Sequence, residues 1–319
     1  MPTSLNLYEE LASNRRKTFI ILSLFPIVLA GLVFITVFIF YLVEANFQAP
    51  NERFFTSDNV FIYATVISFA TIILAVIWAV ISWFKGDQII LNSAGAHEIN
   101  RRINPEIFVL VENLTIAAGL PLPRIYIIDD DSLNAFATGR DPEHASIALT
   151  KGIIKRLNRA ELEGVIGHEL GHVANRDIRL TMLVATCIGI ISLVGQILLR
   201  SGGRSGRGKS GKGGSFIVIL GLVFILYGAF FAPLIMYALS RRREYLADAT
   251  SAYMTRNPLA LASALEKISY DSRVEALDGK DAIATACIAF PGKKKDFSLS
   301  SLFATHPPIK DRIAKLRAM

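Results

Sequence analysis

The pentapeptide His168-Glu169-Leu170-Gly171-His172 decides how the rest of this chain is interpreted. Residues four apart lie one above the other on an α-helix, so His168 and His172 can bind one metal ion from the same face. Glu169 lies one step round the helix, where it can take a proton from a metal-bound water. Two imidazoles favour zinc, which in catalytic sites has three protein ligands and an open fourth position. The pattern therefore predicts a third ligand elsewhere, and the alternative is two surface histidines on an ordinary helix.

The sequence around the pentapeptide predicts a capped helix. Asn158 and Glu161 have the spacing of a capping box. Three glycines, Gly164, Gly167 and Gly171, each weaken a helix by about 1 kcal/mol relative to Ala. Their presence indicates close packing or the approach of a substrate. Apolar residues follow at helical spacing: Leu162, Val165, Ile166, Leu170 and Val173.

The composition excludes an ordinary water-soluble protein. Hydrophobic residues make up 52% of the 319 residues, and the mean hydropathy is +0.43. Four apolar runs are long enough to cross a bilayer as helices, at residues 18–43, 60–84, 180–199 and 216–240. The first run is too long for the apolar core of a signal peptide, so we predict an anchor.

The net charge of +7 indicates membrane contact and not nucleic acid, because the cations cluster beside the apolar runs. Arg15, Arg16 and Lys17 precede the first run, which predicts a cytoplasmic N-terminus by the positive-inside rule. The pentapeptide then faces the cytoplasm. Of the two cysteines, Cys187 lies within an apolar run, so no structural disulfide is expected.

The predicted fold class is α+β and mostly helical, with a small β-sheet and four transmembrane helices. Residues 1–90 form a membrane anchor with two of these helices. Residues 91–319 form the catalytic domain, interrupted by a membrane hairpin at about 178–240. Before the hairpin we predict a helix at residues 105–118 and strands at 124–128, 133–139 and 146–150. After it we predict helices at residues 257–270 and 281–290 and a charged terminal helix through Arg317.

Glu244 is the predicted third ligand. It follows the hairpin and so returns to the same membrane interface as His172. Asp248 lies one turn later and can accept the outer N–H of a ligating histidine. The alternative for Glu244 is an ion pair with the arginines at 241–243, which we interpret as interface anchors.

Two further segments have open interpretations. If the protein is a protease, Asn134, Ala135 and Phe136 begin a strand to which a substrate peptide can add by main-chain hydrogen bonds. The alternative is an ordinary interior strand. His306, in the turn before the terminal helix, is either a donor to a developing oxyanion or a structural residue.

The hairpin tip at residues 201–215 contains seven glycines and four cations. Residues 203–210 match the phosphate-loop pattern, but no strand precedes them, so we predict a linker and no nucleotide site. A basic loop on the outer side conflicts with the positive-inside rule. Either the hairpin spans the bilayer in spite of the rule, or it only dips into it.

Taken together, the chain resembles the HtpX-type membrane metalloproteases, relatives of the CAAX prenyl proteases. The resemblance rests on the two leading apolar runs, residues 134–139, the pentapeptide, the hairpin, residues 240–249 and residues 305–308. It implies a zincin-like endopeptidase of the cell inner membrane, with one Zn²⁺ per chain held by His168, His172 and Glu244. It also implies misfolded or damaged membrane proteins as substrates, a role in stress, and a substrate cleft lined by the strand at 134–139.

The expected reaction is amide hydrolysis by a water molecule, with Glu169 as the base. Two alternatives belong to other classes. One is an inactive membrane adaptor that contains zinc for structure only. The other is a channel or transporter, for which ionisable residues within the apolar runs would be expected.

Overall fold

The computed structural model describes residues 7–47, 55–205, 213–238, 241–270 and 307–319. Its helices are α1 (Leu7–Phe47), α2 (Val60–Ser93), α3 (Pro105–Ala118), α4 (Lys151–Arg156), α5 (Arg159–Ala174), α6 (Ile178–Ser205), α7 (Gly213–Ala238), α8 (Arg241–Thr255), α9 (Pro258–Tyr270) and α10 (Ile309–Arg317). The strands are β1 (Ala96–Ile99), β2 (Arg124–Ile128), β3 (Ala135–Gly139) and β4 (Ala145–Thr150), and a short 3₁₀-helix spans Pro142–His144. The predicted α+β, mostly helical class is confirmed.

The chain divides into two compact units. One comprises Met1–Thr18, Ser82–Thr186 and Pro233–Met319, and the other comprises Phe19–Ile81 and Cys187–Ala232. The predicted domain limits stay a prediction. Helix α2 runs continuously through residue 90, where the membrane anchor was predicted to end.

Three helices in the described residues are long and apolar enough to span a membrane: Ala12–Asn46, Val60–Ser93 and Ile178–Gly202. The fourth apolar run lies in α7, where the described apolar stretch, Phe216–Gly228, is shorter than a span. A fourth transmembrane helix therefore stays a prediction. Large apolar side chains such as Phe19, Phe69 and Leu74 are more than 60% exposed, as expected for a surface that faces lipid.

The second unit has its own apolar clusters. Phe25, Leu29 and Val33 of α1 belong to a buried cluster with Cys187 and Phe224. Cys187 is a buried free thiol among the described residues.

The sheet has four strands in the order β1-β2-β4-β3. The three predicted strands are present, but β1 was missed. β1 is only four residues long, and His97 and Glu98 in it are exposed, so it presents no apolar run. β2 and β4 are parallel, and β3 pairs with β4 in antiparallel register at one edge of the sheet.

Helices α3 and α9 of the first unit begin at the capping residues that the sequence predicts. The Asn104 side chain caps α3, which ends at Gly119 in the left-handed conformation with φ of 64°. Asn257 caps α9 by accepting from the Ala260 amide at 3.1 Å. The predicted helix at 281–290 lies outside the described residues. Behind these helices, the core joins the apolar faces of α3, α5 and α9 to the sheet, with Val165, Ile166, Leu170, Ile147, Leu149, Leu261 and Leu265 fully buried.

Candidate metal centre

Helix α5 holds the two histidines of the pentapeptide on one face, one turn apart. Their Nε2 atoms lie 3.1 Å from each other. The His168 side chain is fully buried and that of His172 is 14% exposed. The predicted capping box is present, since Asn158 and Glu161 bond to each other's backbone amides at 2.9 Å. A locally determined helix therefore brings two imidazole nitrogens to a common point.

Glu244 reaches the same point from α8. Its Oε2 lies 3.7 Å from Nε2 of His168, and its Oε1 lies 3.9 Å from Nε2 of His172. One donor atom from each of the three residues can be chosen so that all lie within 4.8 Å of one another. The structure thus brings the predicted third ligand to the histidines, while its role as a ligand stays a prediction.

Arg243, the chain neighbour of Glu244, does not have the position of a membrane-interface anchor that the sequence suggests. Its side chain is buried, and its Nη1 donates a hydrogen bond to Oγ1 of Thr181 at 3.0 Å. It therefore ties α8 to the first turn of α6 instead of reaching toward lipid headgroups.

The glycines of α5 allow α8 and α9 to approach closely. A Cβ on Gly171 would lie 3.1 Å from both Cα and the carbonyl oxygen of Ala247 in α8. A Cβ on Gly164 would lie 3.0 Å from the backbone of Leu261 in α9. These residues support close helix packing, one of the two roles predicted for them. The packing at Gly171 holds the helix that bears Glu244 beside the histidines.

Each histidine is oriented by a carboxylate at its other nitrogen. Nδ1 of His168 lies 2.9 Å from Asp248, as predicted. Nδ1 of His172 lies 3.1 Å from both oxygens of Asp177, a partner that the sequence analysis missed. Burial, together with the nearby charge of Arg312, lowers the pKa of His168 to about 4. Burial acts in the same direction on His172, but the charge and hydrogen bond of Asp177, with the charges of Glu244 and Glu169, together outweigh burial and raise the pKa of His172 to about 9.

Arg312 of α10 is the second residue that the sequence analysis missed. Its side chain is fully buried, and its guanidinium donates to both oxygens of Asp248 and lies 3.5 Å from Glu244. Its Nη2 lies 3.3 Å from each ring nitrogen of His168. Burial of Asp248 opposes its ionisation, but Arg312 outweighs this and lowers the pKa of Asp248 to about 2. Arg312 therefore balances the charge of two buried carboxylates at the centre.

A sequence signal for Arg312 existed. It occupies the same helical face as Ile309 and Leu316, three residues after the one and four before the other, and Leu316 is fully buried. A cation within an apolar stripe is a candidate for a buried functional role.

Glu169 is the remaining carboxylate of the pentapeptide. Its side chain is buried, and its Oε1 has no hydrogen-bond partner among the described residues. Burial, reinforced by the Glu244 charge, raises the pKa of Glu169 to about 7, although the nearby His172 opposes the shift. The backbone amide of Ala137 in β3 donates to this carboxylate. A carboxylate with a pKa near neutrality and an unpartnered oxygen can exchange a proton at physiological pH.

The predicted substrate strand lies at the edge of the sheet, and its side chains are buried. Asn134 accepts the Ala135 amide at 2.9 Å, and Phe136 is 1% exposed. A role in substrate binding stays a prediction for these three residues. His306 lies outside the described residues.

The arrangement suits a divalent metal. Because each Nδ1 faces a carboxylate, each ring can direct Nε2 into the space shared with Glu244. Two nitrogen lone pairs 3.1 Å apart repel each other unless a cation or a proton lies between them. Because the pKa of His172 is raised to about 9, its imidazole carries that proton at neutral pH, and a bound divalent metal would take the place of the proton. Two imidazoles and a carboxylate form a ligand set of catalytic zinc, so the residues fit this ion. The fold and the centre define a membrane-bound, metal-dependent hydrolase.

Comparison with known proteins gives the family. Residues 102–319 match peptidase family M48. A protease HtpX homolog of Bacteroides fragilis is 42% identical over 312 residues, covering 95% of each chain. A second, of Streptococcus uberis, is 39% identical over 320 residues, covering 98% of this chain and 100% of its own. A third, of Dictyoglomus turgidum, is 38% identical, covering 98% and 94%.

Among solved structures, a crystal structure of S. mikatae Ste24p matches 94% of this chain and 65% of its own chain, at 19% identity and a TM-score of 0.41. The family assignment rests on the family match and the full-length relatives. The chain belongs to peptidase family M48 and is an HtpX-type membrane metalloprotease.

Proposed function

We propose that this chain is a zinc-dependent endopeptidase that hydrolyses peptide bonds of misfolded or damaged membrane proteins. One observation carries the proposal: the Nε2 atoms of His168 and His172 converge with the Glu244 carboxylate, and buried Glu169 lies beside them. A structural zinc site is normally closed by four protein ligands, whereas three ligands and an adjacent base are the pattern of a catalytic site. This favours the enzyme over an inactive adaptor.

In this proposal His168, His172 and Glu244 hold one zinc ion per chain. Zinc, when bound, makes a coordinated water more acidic and polarises the scissile carbonyl. Glu169 takes a proton from the attacking water and returns it to the leaving amine, which its pKa of about 7 allows in both directions. Asp248 and Asp177 hold the imidazoles in the tautomer that turns Nε2 toward the metal.

The substrate is proposed to bind as an extended peptide along the edge strand that begins at Asn134, Ala135 and Phe136. Edge position supports this role, because only one side of β3 pairs within the sheet. The Ala137 amide, which donates to Glu169, connects that strand to the catalytic base. His306 remains a proposed donor to the oxyanion.

Substrate class and location follow from the apolar helices. A metalloprotease anchored by helices at Ala12–Asn46, Val60–Ser93 and Ile178–Gly202 meets its substrates at the membrane. The cations before the first run support a centre on the cytoplasmic side of the inner membrane, in a role in protein quality control under stress. A cysteine introduced at exposed Glu143 should react with a membrane-impermeant maleimide in inverted vesicles and not in intact cells; labelling in intact cells would refute this orientation.

The decisive experiment measures metal content and cleavage on the same purified samples. Wild-type protein should carry about one zinc per chain and cleave an unfolded membrane protein. Glu169→Gln should retain zinc and lose activity by about 10² to 10⁴-fold. Glu244→Ala should lose both zinc and activity.

Glu163→Gln is the matched control, because Glu163 is on the same helix and pairs only at the surface with Arg159. It should behave as wild type. Zinc retained at wild-type affinity in Glu244→Ala would remove Glu244 from the ligand set. Undiminished cleavage by Glu169→Gln would remove Glu169 as the base, and absence of cleavage in wild type with zinc bound would favour the adaptor.

A further inference from the structure

A pocket lies where α2 passes from apolar to polar sequence, within the first unit. Its volume is about 280 Å³, and its lining includes Trp83, Phe84, Lys85, Arg124, Arg140 and His144. The apolar stretch of α2 ends at Phe84, and Lys85 follows directly. The pocket therefore combines cations with aromatic side chains at the level where a membrane helix leaves the bilayer.

The guanidinium groups of two arginines lie over the aromatic rings at this end of the apolar stretch. The Arg140 guanidinium lies 5.4 Å from the ring centre of Phe84. That of Arg179, in the first turn of α6, lies 5.0 Å from the ring of Trp83. The two arginines are also joined, because Nε of Arg179 donates to the carbonyl of Arg140. Arg140 also contacts Nε2 of His144 at 2.7 Å and Asp141 at 3.5 Å. Because a guanidinium group carries five N–H donors, N–H groups of both arginines remain for a further acceptor.

The acidic groups nearby are engaged by specific partners. Asp87 forms an ion pair with Arg124. Asp141 lies 2.6 Å from Nδ1 of His144 and 3.5 Å from Arg140. Glu98 accepts the hydroxyl of Tyr126 at 3.3 Å.

Further cations lie around Arg179, in addition to those in the ion pairs above. Arg15, Arg140 and Arg176 all lie close enough to Arg179 to repel it, and the Asp141 carboxylate offsets part of this repulsion. Lys85 adds an exposed ammonium group. An anion that entered the pocket would relieve repulsion among like charges.

We propose that this pocket binds the phosphate of an anionic membrane phospholipid. Phosphate diesters suit guanidinium groups, which form paired N–H···O bonds with them. Tryptophan and arginine at the end of a membrane helix lie at the depth of lipid headgroups. Anionic headgroups concentrate at such basic membrane-adjacent surfaces. The same phosphate chemistry could be met by free inorganic phosphate, and the apolar neighbours Trp83 and Phe84 favour the lipid.

The chain offers an internal probe for the test. It has two tryptophans, so Trp78→Phe leaves Trp83 as the only fluorophore of this type. The full-length Trp78→Phe protein is placed in phosphatidylcholine vesicles that contain brominated phosphatidylglycerol or brominated phosphatidylcholine. Bromine quenches Trp83 only when its lipid is adjacent. We expect half-maximal quenching at a mole fraction of brominated phosphatidylglycerol several-fold lower than of brominated phosphatidylcholine.

Variants then locate the binding charges. Arg140→Gln and Lys85→Gln should each raise the mole fraction needed for half-maximal quenching by roughly fivefold, the effect of one cation at an anionic surface. Lys85 is exposed, so its replacement keeps the test valid if Arg140→Gln fails to fold. Arg101→Gln is the control, because Arg101 is a cation of the same unit, 64% exposed and outside the pocket. It should leave the curve unchanged.

A last measurement distinguishes a phospholipid from free inorganic phosphate as the ligand. Inorganic phosphate is titrated against chloride at equal ionic strength. No effect on quenching supports the lipid, whereas relief of quenching at low millimolar phosphate would overturn it in favour of soluble phosphate. Equal quenching by the two brominated lipids, or unchanged curves for both Arg140→Gln and Lys85→Gln, would overturn the proposed site altogether.

Discussion

Arg312 and Asp248 form a buried two-point ion pair, in which Nε donates to Oδ2 at 2.9 Å and Nη2 donates to Oδ1 at 2.7 Å. The same Asp248 oxygen, Oδ1, lies 2.9 Å from Nδ1 of His168. The guanidinium therefore holds the carboxylate that orients this imidazole. Helix α10 thus contributes to a centre whose predicted metal ligands lie on α5 and α8.

Replacing Arg312 should destabilise the fold. Arg312→Met leaves Asp248 and Glu244 buried without their cation, which costs about 3–5 kcal/mol when a buried pair is broken. Arg312→Lys keeps the positive charge but not the two-point contact, so its stability should lie between those of wild type and Arg312→Met. Thermal unfolding in detergent measures the difference. Arg317→Met on the same helix removes an exposed pair with Glu266 and should cost less than about 1 kcal/mol; equal losses at both positions would contradict the structural role of Arg312.

Asp177 should control metal affinity. Asp177→Asn keeps the shape of the side chain but removes the charge that faces Nδ1 of His172. Loss of such a partner lowers metal affinity by about 10 to 100-fold. Competition with a zinc chelator measures this change. Asp311→Asn, on the exposed face of α10, should have the affinity of wild type, and an unchanged affinity in Asp177→Asn would show that His172 does not need this carboxylate.

Glu161 should make stability depend on pH. Its carboxylate is buried, which by itself would raise its pKa, but the bonds from Lys267, Ser263 and Asn158 outweigh burial and lower it. A folded-state pKa below the unfolded value stabilises the fold above the unfolded pKa, about 4.3. This stabilisation is lost as pH falls through the folded-state value.

Glu161→Gln keeps the capping box but loses the charge that Lys267 contacts at 2.7 Å. We expect it to be about 1–2 kcal/mol less stable than wild type at pH 7, with the difference shrinking below about pH 4. Denaturation curves measured at a series of pH values test this. Glu163→Gln provides the comparison, since its surface pair with Arg159 should contribute about 0.5 kcal/mol or less. A difference for Glu161→Gln that stayed constant with pH would rule out an electrostatic origin.

Gly171 should set the spacing between α5 and α8. The Cβ of Gly171→Ala would meet the Ala247 backbone at 3.1 Å, so α8 must move and carry Glu244 with it. Overpacking of this kind costs about 1–3 kcal/mol, offset by about 1 kcal/mol of helix propensity. We expect weaker zinc binding by chelator competition. Gly189→Ala in α6 meets nothing within 4 Å and should bind zinc normally; normal binding by Gly171→Ala as well would show that α8 tolerates the shift.

The sequence predicted the parts of the fold that depend on local chemistry. The capping box at Asn158 and the left-handed Gly119 involve residues a few positions apart, so their patterns are visible in one dimension. The spacing of His168 and His172 is equally local, because one helical turn sets it. The sequence predicted Glu244 beside the histidines because a membrane hairpin would return the chain to the interface it left, and its role as a ligand stays a prediction.

Other parts depended on tertiary contacts that no local pattern encodes. In α10, the spacing of Arg312 from Ile309 and Leu316 marks its face of the helix, but no local pattern shows that Asp248 and Glu244 meet it there. Strand β1 is recruited by its antiparallel pairing with β2, not by its own composition. Arg243 sits in a run of three arginines, and its burial against Thr181 is decided by where α8 meets α6.

The residues of the centre are spread widely along the chain, and the sequence separation of His168 and Arg312 is 144. A ribosome that has translated the pentapeptide has yet to make the hairpin and Glu244, and after those it has yet to make α10. During synthesis the emerging polypeptide therefore holds two histidines without their glutamate, and then acidic groups without their guanidinium. The order of translation therefore sets the order in which the residues of the centre become available, and the centre is complete only after α10 has been made.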